Sequence, residues 1–276
     1  MSTLLLVHAH PDDEAISTGG VMARAHDEGR RVVLVTATRG ELGEIHNMDE
    51  STTRPRLAEV RTGELRRAGE ILGVDRQEFL GYRDSGMAGT EGNADPRSFH
   101  QAPLLEAAGR LAAILREERP DVVITYGADG IYGHPDHVKA HEVTVAALDL
   151  LEGTDGWKPA KAYFCAIPRS GIDALRDMAR EQLAPEVLEN LEGQSMTIVG
   201  IPDEEVTTFV DVAAYVERKR AAFAAHLSQN NPDNPFMTAQ GTIFDTMLGT
   251  ECYVLARGAL GEERPESDVF SGLPPG

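Results

Sequence analysis

Apolar and polar positions alternate with two different periods along the first half of the chain. Short runs of consecutive apolar residues are typical of strands buried on both faces, and they predict strands at Leu4–Val7, Arg31–Ala37, Phe79–Leu80 and Asp121–Tyr126. Apolar residues at helical spacing predict helices over 15–28, 55–72, 103–118 and 138–151. Strands that alternate with helices in this way favour a parallel sheet.

The pattern therefore predicts an α/β fold: a Rossmann-like, doubly wound, mostly parallel sheet with helices on both faces. Residues 1–168 would form this core. Beyond residue 150 the pattern loosens, and we expect strands at Ala160–Ile167 and Cys252–Ala256 and a helix over 211–227. Residues 169–260 would be a smaller C-terminal extension that completes the pocket and the fold. Residues 261–276, rich in Pro, Glu, Ser and Gly, would be a loose tail.

Composition narrows the class of partner. The 276 residues include 26 basic and 45 acidic side chains, for a formal charge of −19, which would repel nucleic acids and anionic membranes. No apolar run approaches the length of a membrane span, and the N-terminus lacks the pattern of a signal peptide. The only cysteines are Cys165 and Cys252, which argues against a disulfide framework. We expect a cytoplasmic protein with a small-molecule substrate and neither a nucleic-acid nor a membrane partner; its oligomeric state stays open.

Two polar motifs follow strands of the predicted sheet. The sequence HAHPDDE occupies residues 8–14, directly after the first strand, and YGHPDH occupies residues 132–137, after the fourth. In a doubly wound sheet the strand order reverses at a switch point, often between the first and fourth strands, and ligands bind there. Two long loops, over about 39–54 and 81–101, also follow carboxyl ends of strands. We expect the two motifs to face each other across one crevice.

The side chains of these motifs suit a hydrolytic metal site. Imidazole and carboxylate bind borderline divalent ions, and a catalytic zinc site typically keeps three protein ligands and one position for water. We expect His10, Asp13 and His137 to be the ligands. Zinc suits this set, although ferrous iron could use it as well.

Three further motif residues remain for the chemistry. Asp12 could take a proton from the attacking water and return it to a leaving amine. His134, held protonated by Asp136 or another carboxylate, could stabilise the oxyanion of a tetrahedral intermediate. A simpler alternative for Asp12 is that it caps the helix near Ala15. His8 is expected to be a buried strand-end residue with one hydrogen bond.

The paired motifs resemble those of the PIG-L/LmbE-like zinc deacetylases, which remove the acetyl group from N-acetylglucosaminyl conjugates. The segments GELGE at 40–44, RDSGMAG at 83–89 and AHLSQ at 225–229 resemble the mycothiol-pathway branch of that family, which contains a deacetylase and an S-conjugate amidase. The resemblance is dense over residues 3–150 and thin beyond. Residues 170–210, where related enzymes build the acceptor end of the pocket, diverge, so the aglycone stays open.

The resemblance implies the metal, base and oxyanion residues given above, with Asp136 as the partner of His134. It also implies that Tyr132 can move over the substrate carbonyl. Arg61 and Asp84 match sugar-binding positions, and Glu44 lies in a loop that approaches the substrate. Arg61 has a simpler alternative, a pair with Glu64 three residues further along its helix.

The expected function is metal-dependent hydrolysis of an N-acetylglucosaminyl conjugate to acetate and an amino sugar. An amidase that cleaves a larger acyl group from a mycothiol-like S-conjugate is the nearest alternative. A metal-dependent sugar-binding module without turnover belongs to another class, but it would need neither Asp12 nor His134. A two-metal phosphoesterase would need more bridging carboxylates and basic contacts than the sequence offers. A nicotinamide enzyme is disfavoured because Gly19-Gly20 forms no G-x-G-x-x-G turn.

Overall fold

A seven-stranded sheet runs through the part of the chain that the computed structural model describes, residues 1–182, 198–231 and 248–274. Its strands are β1 (Thr3–His8), β2 (Arg31–Thr38), β3 (Arg76–Tyr82), β4 (Val122–Tyr126), β5 (Lys161–Ala166), β6 (Thr208–Asp211) and β7 (Thr250–Arg257). They lie in the order β3-β2-β1-β4-β5-β7-β6; the first five are parallel, and β7 runs antiparallel to both of its neighbours. The predicted doubly wound, mostly parallel fold is confirmed.

Helices cover both faces of the sheet. The longer ones are α2 (Gly19–Asp27), α4 (Leu57–Leu72), α5 (Leu104–Glu118), α7 (Pro135–Asp155), α8 (Arg169–Gln182) and α9 (Val216–Ala225); three short ones are α1 (Asp13–Ser17), α3 (Glu50–Thr53) and α6 (Gly130–Gly133). α2, α4 and α9 pack on one face and α5 and α7 on the other. No described helix is both long and apolar enough to cross a membrane.

The central strand shows why the apolar runs predict buried strands. Along β1, Leu4 and Leu6 belong to the core on one face, whereas Leu5 and Val7 belong to the core on the other. Successive side chains of a strand point to opposite faces, so a strand between two layers of helices must be apolar throughout. Leu5 pairs with β2 on one side and with β4 on the other. The strand order therefore reverses between β1 and β4, as the sequence predicts.

The single helix predicted over 15–28 is interrupted. Thr18, with φ −144°, separates α1 from α2, and its hydroxyl hydrogen-bonds the ring of His8. Near the start of α2, the backbone N–H groups of Gly20 and Val21 donate hydrogen bonds to the carboxylate of Glu251, at 2.8 Å each. Since Glu251 lies on β7, at the other end of the chain, the local periodicity gives no sign of this break.

The C-terminal part differs from the prediction in two places. Residues 208–211 form β6, a strand that the sequence did not predict, and of the helix predicted over 211–227 only Val216–Ala225 is found as α9. The prediction of a loose tail is wrong for the described residues of this segment. Val269 and Phe270 are buried, and the Glu266 carboxylate accepts a hydrogen bond from the ammonium of Lys161. A buried ammonium needs a partner, which fixes this segment against β5.

The extension predicted over residues 169–260 supplies β6 and β7 to the same sheet as the core. Part of the region expected to form the acceptor end of the pocket, residues 183–197, lies outside the described residues.

Candidate metal centre and active site

The two motifs meet at the carboxyl ends of β1 and β4. The Asp13 carboxylate lies between two imidazoles: Oδ2 is 3.5 Å from His10 Nδ1, and Oδ1 is 3.3 Å from His137 Nε2. All three side chains are buried or nearly so. The structure thus brings together the three residues that the sequence nominates as metal ligands.

Hydrogen bonds on the far side of each ring indicate which nitrogens are free to bind a metal. His137 Nδ1 lies 3.2 Å from the carbonyl oxygen of Gly130, to which it can only donate. His10 Nε2 lies 3.1 Å from a carboxylate oxygen of Asp136 and donates likewise. His10 Nδ1 and His137 Nε2 are left for a metal, and these two atoms flank Asp13. Such outer hydrogen bonds are how proteins fix the ring orientation of metal-binding histidines.

The loop after β4 is shaped to hold His137 in this way. Gly130 has φ +63°, and a Cβ on it would lie 2.9 Å from the Cβ of His137. A left-handed backbone and this close approach both require glycine. The carbonyl of Gly130 can therefore reach the His137 ring only because residue 130 has no side chain.

His134 lies beside these residues but is hydrogen-bonded differently. Its Nδ1 accepts a hydrogen bond from the backbone N–H of Asp136 at 3.1 Å, so the ring proton is on Nε2. His10, His134 and His137 form a different candidate group, since one nitrogen of each lies within 4.8 Å of the others; among the described residues no group that meets this distance contains Asp13. A nitrogen that carries a proton cannot bind a metal, and this favours the set with Asp13 over the set with His134.

The expectation that Asp136 keeps His134 protonated is wrong. The bond from Asp136 is made by its backbone amide, and a doubly protonated ring has no lone pair to accept it. Burial, reinforced by the nearby charges of His10 and His137, lowers the pKa of His134 to about 4. His134 is therefore a neutral hydrogen-bond donor through Nε2, which is still suited to an oxyanion.

The carboxylate of Asp136 serves His10 instead. Its Oδ2 accepts from His10 and from the backbone amide of Ser85 at 2.9 Å, and its Oδ1 accepts from the Ser85 hydroxyl. Asp84, expected to bind sugar, lies on the same side, with Oδ1 3.5 Å from His10 Nε2. His10, Asp84 and Asp136 form a second possible ion-binding group among the described residues. Because it shares His10, it is not independent of the first.

The local electrostatics fit a cation. Burial alone would lower the pKa of His10, but Asp84, Asp13 and Asp136 outweigh it and raise that pKa well above its ordinary value. Burial alone would raise the pKa of Asp13, but His137 and His10 hold it well below the usual range. The site therefore favours a positive charge next to an ionised carboxylate. Two nitrogens and a carboxylate with this preference match the chemistry of a divalent zinc-type ion.

Asp12 immediately precedes α1. Its side chain makes no capping hydrogen bond to α1, so the capping alternative is not supported. One carboxylate oxygen lies 3.2 Å from Nη2 of Arg61, and about a quarter of the side chain is exposed. Burial raises the pKa of Asp12 to about 6, against the opposing effect of Arg61. An aspartate with a raised pKa beside a metal site is suited to proton transfer near neutral pH.

Arg61 is buried and is held by backbone as well as by Asp12. Its Nη1 donates to the carbonyl of Gly40 at 2.9 Å and its Nη2 to that of Pro11 at 2.5 Å. The alternative pair with Glu64 is not formed, because Glu64 accepts from the backbone amide and hydroxyl of Ser228. Arg61 thus joins the loop after β1 to the loop after β2.

The remaining two predicted residues lie at different depths. Tyr132 is beside the candidate metal ligands, with its hydroxyl 3.4 Å from His137 Nε2. The Glu44 side chain is 87% exposed and contacts His46 at 3.2 Å, so it is not part of the cluster. Its backbone carbonyl accepts from Gln229, which ties this loop to the segment after α9.

Tyr126 and His8 are functional candidates that the sequence did not single out for chemistry. The Tyr126 hydroxyl donates to Asp13 Oδ2 at 2.7 Å, and its ring stacks on His137 with centroids 4.2 Å apart. His8 contacts that hydroxyl at 3.1 Å and Thr18 at 2.8 Å, so it makes two hydrogen bonds rather than one. The position of Tyr126 in the sequence could have indicated a role. It is the last residue of β4, the neighbour of β1, and ligands bind at the carboxyl ends of such strands.

The chain is similar to one family model and to individual named proteins. Residues 5–148 match the family model described as PIG-L: GlcNAc-PI de-N-acetylase. A protein of Geodermatophilus obscurus named 1D-myo-inositol 2-acetamido-2-deoxy-alpha-D-glucopyranoside deacetylase is 42% identical over 98% of both chains. A protein of the same name from Acidothermus cellulolyticus is 44% identical over 98% of this chain and 95% of its own. The chain belongs to the PIG-L family.

Solved structures agree on the fold. The N,N'-diacetylchitobiose deacetylase of Pyrococcus horikoshii superposes on 92% of this PIG-L family member and 83% of its own chain, with a TM-score of 0.63 and 20% identity. The 4-carboxy-2-hydroxymuconate hydratase GalB of Pseudomonas putida superposes on 95% of this chain and 99% of its own, with a TM-score of 0.56 and 21% identity. One fold therefore carries both a deacetylase and a hydratase, so the function of this PIG-L protein must be argued from its site.

Proposed function

We propose that this PIG-L family member removes the acetyl group from an N-acetylglucosaminyl-inositol, releasing acetate and the free amino sugar. Relatives more than 40% identical over nearly the whole chain are named for that substrate. The observation that supports the proposal is the arrangement around Asp13, whose two carboxylate oxygens face His10 Nδ1 and His137 Nε2, with Asp12, whose pKa is raised, next to it in the chain.

Under this proposal three side chains would hold a divalent ion: His10 through Nδ1, Asp13 through its carboxylate, and His137 through Nε2. Zinc suits this donor set, and ferrous iron is the second candidate. When bound, such an ion polarises the amide carbonyl and makes water more acidic. The chain's own residues then direct the protons and the charge.

Asp12 acts as the general base and then as the general acid. It takes a proton from the attacking water and delivers it to the nitrogen of the leaving amine. A pKa near 6 leaves Asp12 ionised at neutral pH and still able to return the proton. The guanidinium of Arg61, 3.2 Å away, keeps the carboxylate oriented.

His134 stabilises the negative charge that develops on the carbonyl oxygen. The bond from the Asp136 amide keeps the ring proton on Nε2, which can donate to that oxygen without a prior protonation step. Tyr132, whose hydroxyl lies 3.4 Å from His137 Nε2, would approach the same carbonyl.

The substrate contacts are proposed from the family resemblance and from position. Arg61 and Asp84 would orient the sugar, and Glu44 would approach it from the exposed loop after β2. Residues 169–260 would complete the pocket. We also propose that the reaction takes place in the cytoplasm, which cell fractionation would test.

The test is a substrate panel with zinc-loaded protein and an assay for released amine. The panel contains N-acetylglucosaminyl-inositol, free N-acetylglucosamine, N,N'-diacetylchitobiose and a mycothiol-like S-conjugate. We expect the inositol compound to give the highest kcat/KM, chelation to abolish turnover and added zinc to restore it.

Three results would contradict the proposal. Turnover that survives exhaustive chelation would exclude the metal mechanism. Cleavage of the S-conjugate in preference to the acetylated sugars would make the protein an amidase of larger acyl groups. Tight sugar binding without acetate release would make it a binding module.

A further inference from the structure

A buried chain of hydrogen bonds links the loop that carries Asp12 to the residue that ends α9. Glu14 Oε2 accepts the backbone N–H of Asp12 at 2.8 Å, and Glu14 Oε1 lies 2.6 Å from His226 Nε2. The side chains of Glu14 and His226 are at most 1% exposed. One carboxylate thus joins residue 12 to a residue more than 200 positions away.

Asp12 adopts a backbone conformation that needs such support. Its φ is 113° and its ψ is −28°, in the left-handed region of backbone conformation that residues other than glycine rarely adopt. A strained conformation persists only where its surroundings enforce it, and such residues cluster at functional sites. Glu14 holds the amide of Asp12, while Arg61 holds its carboxylate and the carbonyl of Pro11.

His226 is itself held in place from a second direction. Two residues further on, Ser228 donates from its amide and its hydroxyl to Glu64, at 2.8 and 2.6 Å. Glu64 is fully buried on α4, one turn after Arg61. The backbone carbonyl of Ser228 also accepts from the amide of His46 at 2.7 Å. The segment that carries His226 is therefore fixed to the same helix that supplies Arg61.

We propose that Glu14 and His226 are positioning residues for Asp12. They hold its amide so that the left-handed turn is kept and the carboxylate stays paired with Arg61. This inference rests on the proposed function, because that function makes Asp12 the proton-transfer group. It assigns a role in the active site to a segment outside the range, 5–148, that matches the family model.

The kinetic test separates positioning from stability. In zinc-loaded protein, His226→Ala and Glu14→Ala should lower kcat by roughly 10- to 100-fold, because small displacements of a catalytic group have effects of this size. KM and metal content should change little. Glu14→Gln should lose less than Glu14→Ala, since its amide oxygen can still accept from Asp12. A kcat equal to that of wild type for His226→Ala would overturn the inference.

A matched control breaks another buried ion pair, at the amino ends of the parallel strands, whereas the candidate site lies at their carboxyl ends. Lys161 pairs with Glu266, and its neighbour on β4 is Val122, the first residue of that strand. Lys161→Met should destabilise the fold but leave kcat unchanged. If Lys161→Met lowers kcat as much as His226→Ala does, the effect is one of general stability and positioning is excluded.

A double variant tests whether His226 acts through Asp12. In an Asp12→Ala background, His226→Ala should cause no further loss of turnover, because the group it positions is gone. Multiplicative losses would show an independent role and overturn the inference.

Hydrogen exchange gives a readout that needs no substrate. The amide of Asp12 should exchange faster in His226→Ala than in wild type, with no change in Lys161→Met; equal exchange would contradict the inference. A wild-type protein without amine release would instead contradict the proposed function, so the two failures are distinguishable.

Discussion

At the scale of single residues, two neighbouring aspartates are given opposite properties by their surroundings. Two histidines hold the pKa of Asp13 well below its usual range, while burial raises that of Asp12 to about 6. A carboxylate that stays ionised suits a metal ligand, and one that titrates near neutrality suits proton transfer. The structure thus offers a physical reason for dividing the two roles in this order.

This division predicts different outcomes for two alanine variants. Asp12→Ala should keep its metal and lose roughly 10²- to 10⁴-fold in kcat, the usual contribution of a general acid–base group. His137→Ala should lose both metal and turnover, because it removes a proposed ligand. Metal analysis of the purified proteins, with kcat measured on the same samples, checks both.

The metal content of the two variants distinguishes the proposed ligands from the proposed proton-transfer group. An Asp12→Ala protein that is free of metal would mean that Asp12 and Asp13 have exchanged roles. A His137→Ala protein that keeps stoichiometric zinc would favour a ligand set built on His10 and His134.

At the scale of elements, the buried pair of Lys161 and Glu266 fixes the C-terminal segment to β5. Glu266 also accepts from the Tyr163 hydroxyl at 2.6 Å and from the amide of Gly261 at 2.7 Å. Burial alone would raise the pKa of Glu266, but the hydrogen bonds from Gly261, Lys161 and Tyr163 outweigh it and lower that pKa. The segment beyond β7 is therefore part of the folded unit.

Glu266→Ala should destabilise the protein by about 3–5 kcal/mol, because it leaves a buried ammonium without its partner. Lys158, whose exposed ammonium lies 2.8 Å from Glu152, is the control, and Lys158→Ala should change stability by less than about 1 kcal/mol. Denaturant unfolding measures both. Equal effects of the two substitutions would contradict the prediction.

The sign of the pH effect follows from the lowered pKa. Glu266 contributes its stability fully above the ordinary glutamate pKa of 4.5, and the contribution is lost as the pH falls through the lower folded value. The stability difference between wild type and Glu266→Ala should therefore shrink below about pH 4.5. A difference that grows on acidification would contradict this assignment.

The sequence predicts elements well where the signal is local and poorly where it is not. The runs at β1 and β2 are apolar because both faces are covered, so their burial can be predicted from the sequence alone. The break at Thr18 depends on Glu251, and the packing of the tail depends on Lys161, 105 residues before Glu266. No local pattern encodes a partner so far along the chain.

The candidate site divides in the same way. The grouping of His10, Asp13 and His137 follows from two motifs at the ends of adjacent strands, which topology alone brings together. The different tasks of the Asp136 amide and carboxylate could not be predicted, because they depend on side-chain orientation. The proposed support of Asp12 by His226 depends on where α9 ends, so it could not be predicted from the sequence either.

At the scale of the whole molecule, a bound ion would join the two halves of the sheet. His10 follows β1, while His137 lies at the start of α7, after β4. An ion held by both would connect the strands on either side of the switch point. Without an ion, the buried carboxylates and imidazoles of the site must stabilise one another.

Metal binding should therefore raise the stability of the whole chain. A ligand that binds only the folded state at 100 times its Kd contributes about 2.7 kcal/mol, which for a protein of this size corresponds to a rise in Tm of about 5 °C. We expect zinc to give such a rise in chelated wild-type protein and none in His137→Ala. His26, exposed on α2, supplies the control, and His26→Ala should keep the full shift. Thermal unfolding with and without zinc measures all three, and a zinc-induced rise that is as large in His137→Ala as in wild type would place the ion elsewhere on the molecule.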